Sequence, residues 1–143
     1  TSKVSDRFQR LANVRMRSDE AVSVTADCEQ FYRRGEFGKA VECYTQAIEN
    51  CKDNSDLARL YNNRGHAKYM MVDFYSARDD YDIAVKIDPK LDIAFYNRAT
   101  INYRMGDFKI ALEDFNIATS ISPENLEFKE GLQSCQECLM KSK

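Results

Sequence analysis

One phrase recurs in this sequence at an interval of thirty-four residues, and that interval constrains the fold more than any other feature. The run YDIAVKIDP ends at Pro89 and the run FNIATSISP ends at Pro123, and these are the only prolines in the 143 residues. When residues 58–91 are aligned with residues 92–125, twelve positions are identical, including Asn63 with Asn97 and Asp80 with Asp114. A fixed period of this length indicates stacked helical or mixed units that bury a continuous core between neighbours.

A third, more diverged copy precedes these two. It covers residues 21–54, and three residues, 55–57, separate it from the second copy. Five of its residues, Gly35, Phe37, Ala40, Tyr44 and Ala47, stand at the places of Val72, Phe74, Ala77, Tyr81 and Ala84 in the second copy. The last four of these pairs are identical.

Each copy reads as two helices joined by a short turn. The turns are centred on RRGEFGKA, MMVDFYSA and RMGDFKIA. In the second copy Ala77, Tyr81 and Ala84 are spaced at i, i+4 and i+7, which predicts a packed stripe on the second helix. Proline ends each second helix in the two later copies, because it has no N–H to donate and displaces the preceding residue from helical geometry.

This pattern resembles the tetratricopeptide repeat, a 34-residue helix-turn-helix unit with small residues at its eighth, twentieth and twenty-seventh places and a proline near its thirty-second. The resemblance covers residues 21–125 and implies an all-α fold, a right-handed α-solenoid of three repeats over 21–54, 58–91 and 92–125. Arg64 and Arg98 depart from the usual aliphatic seventh place. Because Asp80 and Asp114 stand at matching places in the following helices, we expect a partly buried ion pair in each repeat.

Both ends of the array need a cover with a polar outer side. Residues 126–143 are predicted to form a capping helix and tail, with Leu126, Phe128, Leu132, Cys135 and Leu139 on its inner side. Residues 1–20 are predicted to be either a loose arm or an amphipathic helix over 5–16, with Ser18 capping the first helix of the first repeat. The arginines at 7, 10, 15 and 17 also fit an organelle presequence, but Asp6, Asp19 and Glu20 disfavour that interpretation.

The composition excludes several classes of partner. A formal charge of −2 with 31% charged residues gives no basic field for nucleic acid, and no apolar run is long enough to cross a bilayer. Five cysteines in a chain able to build an apolar core favour reduced thiols. We therefore expect a soluble, monomeric protein of the cytoplasm, with access to the nucleus, that binds neither membrane nor nucleic acid.

The chain offers little material for catalysis. His66 is the only histidine, and Asp79 and Asp80 point in different directions on a helix. Cys135 and Cys138 have thiol-motif spacing, but no second cysteine pair and no nearby histidine accompany them. No phosphate-binding glycine loop is present. We expect no enzyme activity, no catalytic residue, no cofactor and no metal; the rival interpretation is a redox enzyme acting through these thiols.

With catalysis disfavoured, the sequence favours a function carried by a binding surface. In the resembled family the first helices line a concave groove, which implies that a peptide or protein segment binds there. Tyrosine gives rigid contact area and asparagine pairs with backbone amides, although the tyrosines also fit simple packing between helices. The predicted groove residues are Tyr32, Arg33, Asn62, Asn63, His66, Tyr69, Tyr96, Asn97, Tyr103 and Arg104.

The resemblance also implies a test for one subset of the family, which holds chaperone tails with a clamp of two lysines, two asparagines and an arginine. Those places map onto Thr25, Glu29, Asn63, Ile93 and Asn97, so one clamp residue in five, Asn63, survives. Losing three cations removes most of the charge-assisted hydrogen bonds. The sequence thus predicts an adaptor or co-chaperone-like binding module without this clamp, or alternatively a structural subunit that docks through its convex face or its capping helix.

Overall fold

The computed structural model describes residues 13–141, and these are helical with no strand among them. The all-α repeat fold predicted from the sequence is confirmed. The described helices are α1 (Asp19–Val24), α2 (Ala26–Arg33), α3 (Phe37–Asn50), α4 (Asn54–Met70), α5 (Phe74–Ile87), α6 (Asp92–Arg104), α7 (Phe108–Ile121) and α8 (Leu126–Lys141).

The chain divides after Pro89 into two compact units. Unit A, residues 13–89, holds α1 to α5, and unit B, taken over its described residues 90–141, holds α6 to α8. Within unit A, α2 packs on α3, α3 on α4 and α4 on α5. Within unit B, α6 packs on α7 and α7 on α8. Within each unit, helices that follow one another along the chain are thus also packing neighbours, as in helical repeats.

Small residues bring the paired helices together. A Cβ placed on Gly65 of α4 would lie 2.8 Å from Cε1 of Tyr81, and a Cβ on Gly131 of α8 would lie 2.6 Å from Cε1 of Phe115. Both rings are almost fully buried, so the glycines leave the space that the rings fill. The predicted pairing of small with large residues therefore forms the core of both units.

Helix ends follow the sequence signals. Ser18 caps α1 by accepting a hydrogen bond from the Ala21 amide at 3.0 Å, as predicted. The second helices end at Ile87 and Ile121, two residues before each proline. The predicted helix over 5–16 falls largely outside the described residues, and its last part, residues 13–16, is not helical.

Two expectations were wrong: that Leu126 lies on the inner side of the capping helix, and that all five cysteines are reduced thiols. The inner side of α8 consists of Phe128, Gly131 and Cys135, whereas Leu126 is 68% exposed because it begins the helix and lies off that stripe. Cys28 of α2 and Cys43 of α3 form a disulfide, with their Cα atoms 5.3 Å apart. The close approach of the two helices sets this distance, which sequence spacing alone did not suggest.

The predicted ion pairs are present in both later repeats. Arg64 donates to Asp80 through Nε at 2.9 Å and Nη2 at 2.7 Å. Arg98 donates to Asp114 in the same two-pronged way, at 2.7 Å and 2.9 Å. Both aspartates are buried, and in unit A a second cation, Lys68, lies 3.0 Å from the Asp80 carboxylate. The hydrogen bond that Arg64 donates to Asp80 raises the pKa of Arg64.

Candidate peptide-binding site

One side of α4 carries polar side chains at helical spacing. Asp56, Arg59, Asn63 and His66 follow one another at intervals of three or four residues, so they share a face of the helix. We call these four residues the α4 face. Asp56, Asn63 and His66 have exposed fractions of 1%, 1% and 2%. Buried polar groups of this kind require partners, and residues 13–18 supply most of them.

Asn63 holds a backbone segment of its own chain. Its Oδ1 accepts a hydrogen bond from the Val14 amide at 2.9 Å, and its Nδ2 donates to the Val14 carbonyl at 2.8 Å. The carboxamide thus reads both backbone groups of one residue, which is the pairing we predicted an asparagine here would make with a peptide. Nothing in this contact depends on the side chain of residue 14.

Asp56 holds the same segment three residues farther on. Its Oδ1 accepts from the Arg17 amide at 2.6 Å, and both carboxylate oxygens accept from the Ser18 amide at 3.3 Å. Burial raises the pKa of the Asp56 carboxyl, but the hydrogen bonds from Ser18 and Arg17 outweigh it, and the pKa is lowered overall. The carboxylate therefore stays ionised and holds two backbone N–H groups.

The segment between these anchors alternates in exposure. Arg15 and Arg17 are exposed, and Met16 between them is 4% exposed and packs in the core cluster that includes Cys28 and Leu60. This period of two is that of an extended chain lying on a surface. The Arg15 carbonyl also accepts a 3.5 Å hydrogen bond from the Arg59 guanidinium.

His66 stands between two tyrosines. The centre of its ring lies 5.3 Å from that of Tyr32 on α2 and 5.7 Å from that of Tyr69 on α4, stacked with the latter. Burial lowers the pKa of His66 to about 3 and raises the pKa of Tyr32 to about 12. Its Nε2 has no hydrogen-bond partner among the described residues. At neutral pH this imidazole is uncharged, and it acts as an aromatic packing group.

The sequence left open whether Tyr32, Tyr69 and Tyr103 contact a guest or pack between helices. In the structure each of them packs against a neighbouring helix and keeps part of its surface exposed. Tyr32 and Tyr69 each pack on the phenylalanine that begins the next helix, with ring centres 5.4 Å from Phe37 and 5.4 Å from Phe74. In unit B, Tyr103 repeats this with Phe108 at 5.3 Å. All three tyrosines remain half-buried, so each is held rigidly by packing on one side.

The other predicted residues differ in accessibility. Arg104 is exposed, and so is Arg33, which lies 3.9 Å from Glu29 of its own helix. Asn97 of unit B is 4% exposed. Asn62 is fully buried and donates to Asn63 Oδ1 at 3.2 Å. Tyr96 is also fully buried, with its ring 4.9 Å from that of Phe128, so neither it nor Asn62 presents its side chain on the surface.

Sequence reasoning missed Asp56 and the segment that it binds. Asp56 lies in the first turn of α4, where an acidic residue ordinarily indicates a helix start; Asp53 is the actual cap and accepts from the Asp56 amide at 3.1 Å. The alternation in VRMRS was a signal for an extended segment, but its length was too short to separate from an amphipathic helix.

The thiols at the end of the chain face inward. Cys135 is buried and donates to the Phe108 carbonyl at 3.1 Å, and burial raises the pKa of its thiol. Cys138 lies 3.3 Å from the Tyr103 hydroxyl, a contact that with burial raises the pKa of Tyr103 to about 12. A reactive thiol needs a lowered pKa, whereas burial shifts the pKa of Cys135 in the opposite direction.

Other kinds of site find no support in the described part of the chain. Over residues 13–141 no three histidine, cysteine or acidic side chains converge on a possible metal position. None of the helices there combines the length and apolar character of a membrane span. A cavity of about 350 Å³ opens in unit A beside Ser18 and Asp56. It lies next to the bound segment and extends the space available there.

Comparison with known proteins finds a family match for the last of the three repeats. Residues 93–125 match the family model of the tetratricopeptide repeat. The chain is 30% identical over 74 residues to the mitochondrial import receptor subunit TOM70 of Rattus norvegicus, which covers 50% of this chain and 12% of that protein. It is 33% identical over 106 residues to stress-induced-phosphoprotein 1 of Caenorhabditis elegans, covering 74% of this chain and 32% of that protein. The chain thus spans a minor part of these relatives.

Solved structures show the same fold over most of the chain. The first tetratricopeptide domain of Spaghetti (RPAP3), bound to the HSP90 peptide SRMEEVD, has a TM-score of 0.75 and 20% identity, covering 90% of this chain and 99% of that one. The second such domain of human RPAP3, in complex with the HSP70 peptide SGPTIEEVD, has a TM-score of 0.71 and 26% identity, covering 81% and 94%. The helical repeat solenoid predicted from the sequence is confirmed by this similarity.

Proposed function

We propose that this chain, whose third repeat matches the tetratricopeptide model, is a non-catalytic protein–protein interaction module. It binds an extended peptide or partner segment along the first helices of its repeats and works as an adaptor or co-chaperone-like protein. The observation that carries the proposal is the two-way hydrogen bond of Asn63 with a backbone amide unit. The contact supports the proposal because the carboxamide pairs with backbone groups that every polypeptide guest also carries.

The binding residues that we propose are those that remain accessible or hold backbone. In unit A these are Tyr32, Asn63 and Tyr69, and in unit B they are Tyr103 and Arg104. Asn97, the counterpart of Asn63, completes the set by repeat correspondence. Half-buried tyrosines fixed by phenylalanine lose little entropy when they contact a guest, which suits them to this role.

Chaperone tails are not the expected guest. The two RPAP3 domains hold peptides of HSP90 and HSP70, but here Thr25 donates its hydroxyl to the Ala21 carbonyl and Ile93 is apolar. Each missing charge-assisted contact would contribute roughly 1.5–3 kcal/mol. We propose that the chain recognises internal, extended segments instead. Titration of the peptide SRMEEVD by calorimetry should then show no micromolar affinity that depends on its terminal carboxylate.

The experiment for the groove uses peptides selected from a display library on the full chain. Calorimetry with a selected peptide should show at least a tenfold loss of affinity in Tyr69→Ala/Asn97→Ala. Tyr75→Ala/Asn116→Ala is the matched control, because both of its residues are exposed on second helices and lie outside the proposed site. Equal affinities in both double variants would reject groove binding.

One observation favours a second candidate, a structural subunit that docks through the convex face or the capping helix. Unit B exposes large apolar side chains, with Ile110 at 54%, Leu126 at 68% and Met140 at 74%. Such exposure fits burial in a larger assembly. If Leu126→Ser/Met140→Ser abolishes partner capture and the groove variant does not, this second function replaces the first.

Further details belong to the same proposal. The run YNNRGHAKYMMVDFYSARDDY resembles that of the small protein called tetratricopeptide repeat protein 32, and we propose a relationship to that protein within the family. We also propose a monomer located in the cytoplasm, with access to the nucleus, that has no enzyme activity. Size-exclusion chromatography with light scattering tests whether the chain is a monomer, and localisation of a tagged chain tests its place in the cell.

A further inference from the structure

We propose that residues 13–18 are a tethered ligand, which occupies the α4 face and which a partner segment must displace. This inference rests on the proposed function and adds both its regulation and the chemistry of the partner. The partner is an extended polypeptide that presents one methionine-sized apolar side chain between two backbone anchors. The chain would then hold its own site closed until a better competitor arrives.

The contacts on both anchors involve backbone alone. Asn63 pairs with the N–H and the C=O of Val14, and Asp56 accepts from the amides of Arg17 and Ser18. The chain is irregular at residues 13–16 and bends at residues 17 and 18, which turns two consecutive amides toward the one carboxylate. The anchors therefore specify this backbone path and leave the identity of most side chains open, which is what permits one segment to replace another.

A single side chain adds selectivity. Met16 is buried, whereas Arg15 and Arg17 on either side of it are exposed. A competitor thus needs an apolar side chain two residues after the residue that pairs with Asn63. The two flanking positions tolerate polar or charged side chains, since they face solvent.

The α4 face is more stable when a backbone segment occupies it than when it is empty. The Asp56 side chain is buried, with the residue 1% exposed, and its carboxylate is ionised. The backbone amides of Arg17 and Ser18 donate hydrogen bonds to this carboxylate. An empty site would leave this carboxylate without those donors, which is unfavourable for a buried charge. Because the segment belongs to the same chain as α4, its effective concentration at the site is on the order of millimolar or above, so free peptides of modest affinity are excluded. Occupancy by the tethered segment is then the resting state.

The test uses the full chain and a fluorescent peptide with the sequence of residues 12–19. Val14→Pro/Met16→Asp removes the Val14 N–H and the apolar anchor, which should vacate the α4 face. We expect the peptide to bind this double variant at least tenfold more tightly than it binds the wild type. Arg15→Ala/Arg17→Ala is the matched control, since it keeps every backbone contact and should behave as the wild type.

Two outcomes would overturn the proposal. Equal affinity for the wild type and the double variant would show that the segment does not compete, and absence of binding to a double variant that still unfolds cooperatively would show that the α4 face is no peptide site. If the double variant does not fold, hydrogen exchange of the wild type decides. The amides of Val14, Arg17 and Ser18 should exchange faster at millimolar peptide, and unchanged rates would reject displacement.

Failure of the proposed function has a different signature. In that case no library peptide binds either protein, although the peptide of residues 12–19 still distinguishes the double variant from the wild type. Conversely, library peptides that bind both proteins equally well would leave the proposed function standing and reject the tethered ligand.

Discussion

The turn inside each of the three repeats passes through a residue with positive φ, and in the second repeat that residue is a valine. Gly35 and Gly106 have φ of 78° and 85°, and Val72 at the same place has φ of 62°. The turn is closed by hydrogen bonds from the Val72 amide to the Tyr69 carbonyl and from the Asp73 amide to the Lys68 carbonyl. This is the helix ending that glycine normally makes, because a Cβ is strained there.

Val72→Gly should therefore stabilise the protein. Relief of a strained β-branched residue is worth roughly 1–3 kcal/mol, and the greater freedom of glycine in the unfolded chain offsets roughly 0.5–1 kcal/mol of it. Val72 is 70% exposed, so little packing is lost. We expect a gain of about 1 kcal/mol in urea unfolding. Val41→Gly, inside α3, makes the same chemical change in a helix and should destabilise; a loss in both variants would refute the argument from strain.

His66 makes stability depend on pH. Its pKa is about 3 in the folded protein, whereas an unperturbed histidine has a pKa of 6.5, because burial between Tyr32 and Tyr69 disfavours the charged form. A depressed pKa means that the unfolded chain binds the proton first. The stabilisation is complete above pH 6.5 and is lost as the pH falls from there toward 3.

The free energy of unfolding should fall by about 1 kcal/mol between pH 7 and pH 5.5, a range in which most carboxylates stay ionised. His66 is the only histidine, so His66→Gln isolates its contribution. Urea unfolding at both pH values should show this fall in the wild type and a much smaller one in the variant. The same fall in both proteins would assign the effect to other groups.

At the scale of the helical hairpin, the first repeat is fastened differently from the other two. Repeats two and three join their helices by Arg64–Asp80 and Arg98–Asp114, whereas the first repeat has Asp27 and Cys43 at those places. There the disulfide from Cys28 to Cys43 joins α2 to α3. In each repeat the first and second helices are therefore linked at corresponding places. The link is a disulfide in the first repeat and an ion pair in the second and third.

A double-mutant cycle on Arg64→Ala and Asp80→Ala should give a large coupling energy. Two charge-assisted hydrogen bonds in a buried setting suggest about 1.5–3 kcal/mol. Asp80→Ala alone should be more harmful than Arg64→Ala, because it removes the partner of both Arg64 and Lys68, whereas Lys68 still contacts the carboxylate when Arg64 is lost. The exposed pair Arg33 and Glu29 on α2, 3.9 Å apart, is the control, with an expected coupling below about 0.5 kcal/mol. A coupling near zero for Arg64 and Asp80 would contradict the prediction.

At the scale of the whole molecule, stability in a repeat protein is close to a sum of local terms. The disulfide closes a loop with a sequence separation of 15, and a loop of this size stabilises by roughly 3 kcal/mol in the chain-entropy model. Reduction should therefore raise hydrogen exchange mainly in α2 and α3 and much less in α7 and α8. Uniform loss of protection in all helices would show that the chain unfolds as one cooperative body.

Local patterns were enough for much of this molecule. The interval between Pro89 and Pro123, the stripe of Ala77, Tyr81 and Ala84 and the pairing of Arg64 with Asp80 are repeated in the sequence itself, so each could be predicted and each is found. They are readable because a helix places residues i, i+3 and i+4 together whatever surrounds it, and a repeat states that arrangement more than once.

Contacts between distant, unrepeated parts of the chain were decided only by the tertiary structure. The approach of Cys28 to Cys43, the burial of Tyr96 and the capture of Val14 by Asn63 each depend on how close two helices or a helix and a non-helical segment come, to within about an ångström. No period in the sequence encodes that distance. The sequence by itself determined the hairpins and their order, and packing decided which polar faces stay open and that the α4 face is filled by the chain's own backbone.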